Sequence, residues 1–202
     1  MANPELPPDD LPVLGLDADD TLWENEARFH EVEGRFRDLM EPWADGTTTD
    51  SALLATERAN IARHGYGVKG FVLSMIVTAV ELSEGRVEGR WIGDIVSWGH
   101  ELLDHPVQLL DGVTDALDRL GTTHRLLVIT KGDLNDQMGK VSRSGLAPRQ
   151  PGTLVSLDVR AQPASRKGRG HGPEVVVQRV GVNPKGWRGE IVKGVRSAHS
   201  RI

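Results

Sequence analysis

Val13-Leu14-Gly15-Leu16-Asp17-Ala18-Asp19-Asp20-Thr21-Leu22 is a short apolar run that ends in three carboxylates within four positions. Clustered carboxylates repel one another and need a cation or a cradle of hydrogen-bond donors, so a fold alone gains nothing from them. The reading that accommodates them is a β-strand delivering Asp17 and Asp19 to the carboxyl end of an open α/β sheet, where such sheets bind ligands. Side-chain alternation puts Asp17 and Asp19 on one side of that strand and Ala18 on the other. Two carboxylates so placed can hold a divalent metal through oxygen, or divide the roles of nucleophile and general acid. The plainer alternative is an Asp-rich turn that merely ends a strand. The apolar run before it and Thr21-Leu22 after it favour the site.

A second stretch has the same grammar. Arg125-Leu126-Leu127-Val128-Ile129-Thr130-Lys131-Gly132-Asp133 is apolar and β-branched, then ends in a hydroxyl, a cation and a glycine. Leu134, Met138 and Val141 follow at helical spacing up to Gly145. A strand, turn and helix with Thr130 at the strand tip aim a hydroxyl and free backbone N–H groups at an anion.

Together these stretches resemble the first two signatures of the haloacid dehalogenase-like hydrolases, a strand ending in Asp-x-Asp-x-Thr and a later strand ending in Thr or Ser. The resemblance implies a doubly wound, Rossmann-like α/β core with a parallel sheet and an inserted helical cap. It implies Asp17 as nucleophile and Asp19 as the acid and base that marks the phosphatase branch. Thr130, Lys131 and Gly132 take the phosphate-binding positions. Mg2+ is implied as cofactor, held by a carboxylate oxygen of Asp17 and the backbone carbonyl of Asp19. The implied reaction is hydrolysis of a small phosphorylated metabolite through an aspartyl-phosphate. The resemblance covers residues 11–147 and thins beyond them. Leu154-Val155-Ser156-Leu157-Asp158 echoes the third-motif strand, but the nearest later lysine is Lys167. Near the expected fourth motif stands Ala198, with Glu190 as the acidic substitute. A phosphate- or partner-binding protein without turnover, built on the same scaffold, is the competing reading.

Between the motifs the sequence predicts helices. Phe29, Val32, Phe36, Leu39 and Met40 share one face of a helix from about Glu24; Asp50 or Ser51 starts a second that Gly65 closes. Phe71 to Val80 reads as a third, ending before Gly85, and Trp91 to Leu103 as a fourth, ending near Pro106. Such a bundle, inserted after the first strand, is expected to cover the site and exclude water. The domain reading is therefore a core of residues 1–22 and 106–202 with a cap of residues 23–105. Trp23, Trp43, Trp91 and Trp98 are expected to pack in or beside the cap. Asp111 is expected to cap a helix carrying Val113, Leu117 and Leu120.

The 202 residues are 38% hydrophobic and contain no cysteine, which removes disulfides and thiolate metal sites. The longest nearly apolar stretch, Phe71 to Val80, is far short of the roughly 20 residues of a membrane helix. No basic start followed by an apolar run is visible, so a cytoplasmic location is expected. His30, His64, His100, His105 and His124 lack metal-ligand spacing. Residues 1–147 hold 13 Lys and Arg against 26 Asp and Glu, whereas residues 148–202 hold 11 against 3. That basic, Gly- and Pro-rich segment, with Trp187 its sole aromatic, lacks the interleaved aromatics of a nucleic-acid surface. It is expected to pack poorly and to be trimmed first by protease. The expected partner is thus a small phosphorylated substrate, with neither membrane nor nucleic acid; the oligomeric state stays open.

Overall fold

The computed structural model describes residues 11–146, 153–159 and 175–180. β1 (Val13–Asp17) lies parallel to β2 (Arg125–Thr130), from Val13 opposite Arg125 to Asp17 opposite Ile129. Both strands therefore end at the same edge of the sheet, which brings Asp17 and Thr130 together. β3 (Thr153–Val159) is parallel to β2 and coincides with the strand read at Leu154–Asp158. β4 (Val175–Val180) joins β3 antiparallel, so the described sheet runs β1-β2-β3-β4 and departs from an all-parallel one at its last strand. An antiparallel neighbour needs no helical crossover, whereas a parallel one does.

Leu14 and Leu16 pack against a core formed by Ala18, Leu22, Trp23, Val113, Leu117, Leu126 and Leu146. Two helices flank it: α5 (Val113–Gly121) precedes β2, and α6 (Leu134–Arg143) connects β2 to β3. Asp111 does not cap α5; Gly112 takes that place at φ 77°, a left-handed conformation open to glycine.

The crossover from β1 to β2 carries four further helices, α1 (Glu26–Met40), α2 (Gly46–His64), α3 (Val68–Leu82) and α4 (Gly89–Asp104). They bury their own cluster, including Phe36, Met40, Met75, Ala79 and Ile95, each fully inaccessible. Trp43 and Trp98 pack against it, and Trp91 meets Trp43 edge-on with centroids 4.6 Å apart, whereas Trp23 is buried in the sheet core. α2 starts at Gly46, earlier than the sequence reading, because Asp45 rather than Asp50 or Ser51 is the cap: its Oδ1 accepts the Thr48 N–H at 2.7 Å. The chains entering and leaving the bundle pair through backbone, Glu24 N–H to Gln108 C=O and Leu110 N–H to Leu22 C=O, both at 3.0 Å.

Among the described residues no helix is long and apolar enough to cross a membrane. Lys167, Trp187, Glu190 and Ala198 lie outside the described residues, as does the expected packing of residues 148–202 apart from the backbone of β3 and β4.

Phe36 is central to the cap cluster, so Phe36→Ala is expected to lower stability by about 3–5 kcal/mol in urea denaturation. Leu73→Ala, on the 42% exposed face of α3, should stay within about 0.5 kcal/mol of wild type.

Candidate active site

Where β1 ends, the chain folds into a tight turn. Leu22 N–H donates to Ala18 C=O at 2.8 Å, and Asp20 N–H to Trp23 C=O at 2.8 Å. Asp20 is held left-handed at φ 55°, which aspartate tolerates. Its carboxylate accepts the N–H groups of Asn25 and Glu26 and so starts α1. The turn buries Ala18 and leaves Asp17 and Asp19 on one cavity, with Asp17 Oδ1 accepting the Ala18 N–H at 2.9 Å.

Asp19 is held by three donors. Trp23 Nε1 and Lys140 Nζ reach its Oδ1 at 2.8 and 3.0 Å, and Gln137 Nε2 reaches its Oδ2 at 2.8 Å. Lys140 also donates to Asn25 Oδ1 at 2.7 Å and faces Asp136 Oδ2 at 3.5 Å. Gln137 and Lys140 come from α6, whose first turn is set by Asp133 capping the Asp136 N–H at 3.1 Å. Asp136, Gln137 and Lys140 lie on one buried face of that helix, whereas Met138 is 41% exposed. Burial pushes the Asp136 carboxyl up, and the neighbouring Lys140 pulls it partly back.

Thr130, buried at the tip of β2, accepts the Gly132 N–H on its Oγ1 at 3.2 Å. A side chain on Gly132 would strike Gln137 Nε2 at 2.5 Å, so glycine keeps this loop against the helix that holds Asp19. Asp17, Asp19, Thr130, Lys131 and Gly132, the five residues singled out by sequence, all line one cavity of about 440 Å³ between the sheet edge and the cap. Phe29, His30, Glu33, Glu57, Asn60 and Tyr66 complete it from the cap side. Burial, with Glu33 nearby, pushes Glu57 up to about 7, and the hydrogen bond His30 donates to Glu33 raises His30.

Sequence reading passed over Asn25, Gln137 and Lys140. The only signal of the last two was a polar stripe at positions 136, 137 and 140 of a short helix, the usual pattern of a solvated face. No group of three or more Asp, Glu or His side chains is set to hold a metal among the described residues. The donors present still suit Mg2+, which commonly takes one or two carboxylates and fills its shell with water and substrate oxygens. Both oxygens of Asp19 already accept hydrogen bonds, so of these two aspartates Asp17 would offer a metal its carboxylate and Asp19 only its backbone carbonyl.

Among solved structures the chain is similar to a haloacid dehalogenase-like family hydrolase from Xanthomonas campestris, at 39% identity and a TM-score of 0.67, over 74% of this chain and 64% of that one. A HAD-hydrolase from Bacillus subtilis bound to magnesium matches at 16% identity and a TM-score of 0.47, over 71% and 64% of the two chains. An L-2-haloacid dehalogenase from Xanthobacter autotrophicus matches at 11% and 0.45, over 73% and 57%. The chain spans less than two thirds of the length of each. No protein-family model and no curated protein matches the sequence. The first of these likenesses, joined to the parallel strands that end in Asp17 and Thr130 beneath a four-helix insertion, makes the chain a member of the haloacid dehalogenase-like superfamily.

Proposed function

We propose that the protein is a phosphomonoester hydrolase acting on a small phosphorylated metabolite. The observation that carries the reading is the convergence of Asp17, Asp19 and the Thr130–Gly132 loop on one cavity. Asp17 attacks phosphorus as the ester oxygen leaves, giving an aspartyl-phosphate and splitting one hard displacement into two. Asp19 gives its proton to the leaving oxygen, then takes one from the water that cleaves the acyl phosphate, releasing inorganic phosphate and restoring Asp17. Thr130 and the amides of Lys131 and Gly132 hold phosphate oxygens, and positioning with charge stabilisation dominates such transfers. Lys140, Gln137 and Trp23 fix the Asp19 carboxyl; the lysine offsets its charge when it is ionised. When bound, Mg2+ supplies charge neutralisation at the phosphoryl oxygens, with Asp17 and the Asp19 carbonyl as its protein ligands. The cap excludes water from the first step.

The reading of a phosphate binder without turnover is favoured by one observation: both Asp19 oxygens are already engaged by donors. Turnover of an aryl phosphate with Mg2+ separates the two. The hydrolase is expected to turn over p-nitrophenyl phosphate and to lose that rate to below about one thousandth in Asp17→Asn. Phosphate binding without turnover in the wild type establishes the binder; turnover retained in Asp17→Asn removes Asp17 from the chemistry. Lys140→Met is expected to lower kcat by about 10–100-fold, the usual effect of removing a residue that orients a reacting group. Circular dichroism of the variant checks that the fold persists.

A further inference from the structure

Of the three groups that hold the Asp19 carboxylate, two are fixed in kind. The indole of Trp23 and the ammonium of Lys140 can only donate, and both reach Oδ1, at 2.8 and 3.0 Å. Among the described residues Oδ2 receives one side-chain bond, from Gln137 Nε2 at 2.8 Å. An amide donates at one end and accepts at the other. Gln137 alone of the three can therefore serve Asp19 in both of its states, as a carboxylate through Nε2 and as an acid through Oε1.

A second observation concerns the other end of that amide. Gln137 is 1% exposed, yet its Oε1 has no hydrogen-bond partner among the described residues. A buried amide that served packing alone would have both ends paired, since an unmatched acceptor is costly. With Oε1 unheld, turning the amide over breaks a single bond, the one to Asp19, and the terminal torsion of glutamine is soft and two-fold. Gly132 leaves space beside it: a Cβ there would stand 2.5 Å from Nε2 and 3.1 Å from Cδ.

We infer that Gln137 is a positioning residue for the Asp19 proton: Oδ2 is the oxygen that carries the proton, and the Gln137 amide turns over each time the proton comes or goes. The inference rests on the hydrolase reading, in which Asp19 acts first as acid and then as base. With Asp19 neutral, Oε1 accepts from Oδ2–H. As the ester P–O bond breaks, the O–H swings to the leaving oxygen, whose electron pair takes the proton while the O–H pair stays on Oδ2. Nε2 then turns to the carboxylate, which is the arrangement observed. When water attacks the aspartyl-phosphate, Oδ2 takes its proton and the amide turns back. A proton on Oδ1 would instead face two donors that cannot turn over.

The test compares two esters on the full chain at one pH, p-nitrophenyl phosphate and n-butyl phosphate, through kcat/KM, which reads the transfer to Asp17. A nitrophenolate leaves as a stable anion, whereas an alkoxide needs the proton. Gln137→Met, which can neither donate nor accept at this position, should lose about tenfold or more on the butyl ester beyond whatever it loses on the aryl ester. Gln137→Glu keeps an oxygen able to take the proton and should hold the wild-type ratio of the two esters to within about threefold. A residue that merely held Asp19 in place would cost both esters alike. An unchanged ratio in Gln137→Met therefore overturns the inference and leaves the hydrolase reading standing. A ratio in Gln137→Glu that collapses as in Gln137→Met also overturns it, because the donor end is then what matters. The aryl ester reports that each variant is folded, and if Gln137→Met is not, the Gln137→Glu ratio decides alone. A wild type that turns over neither ester removes the hydrolase reading, and this inference with it.

Discussion

One ion pair joins the parts of the site. Lys140 Nζ stands 3.0 Å from Asp19 Oδ1 with its side chain 10% exposed, and it ties the end of β1 to α6 and, through Asn25, to the start of the cap. Two opposite charges taken out of water are stable only when hydrogen bonds complete both shells. Here Trp23 and Gln137 complete the carboxylate and Asn25 the ammonium. The pair is part-buried, with the Asp19 side chain 28% exposed, so loss of either charge leaves the other partly desolvated and destabilises the fold. The glycine at position 132 belongs to the same construction, since a Cβ there would meet Gln137 Nε2 at 2.5 Å.

Asp17, Asp19, Thr130 and Gly132 were legible because their signal is local: apolar strands that stop at polar residues announce the edge where a sheet does chemistry. The four cap helices were legible for a similar reason, since Phe36, Met40, Phe71, Met75 and Ile95 recur at helical spacing and do meet in one cluster. Gln137 and Lys140 were not legible, because a buried polar stripe and a solvated one have the same letters. What distinguishes them is Asp19, more than a hundred residues away in the chain. The start of α2 was misjudged because Thr47, Thr48 and Thr49 are poor helix formers, and the Asp45 cap outweighs them. The direction of β4 depends on pairing rather than on local preference, and its Val-rich sequence suits either orientation.

The cap holds its own hydrophobic cluster and meets the core through polar contacts that include Lys69 with Asp133, Arg143 with the Leu103 carbonyl and Lys140 with Asn25. Its cavity wall differs from the core's in kind: aromatic and carboxylate against lysine, hydroxyl and backbone amide. Within one scaffold the two walls of the cavity thus come from different layers.

Asp133 belongs to both layers at once. Its carboxylate caps the first turn of α6 and also receives Lys69 from α3, at 3.0 and 3.1 Å on its two oxygens. Lifting the cap removes the cation from a carboxylate whose remaining task is to anchor the helix that carries Gln137 and Lys140. The helix that holds Asp19 and the seating of the cap therefore have one residue in common, Asp133, which α3 reaches through Lys69 without itself touching Asp19.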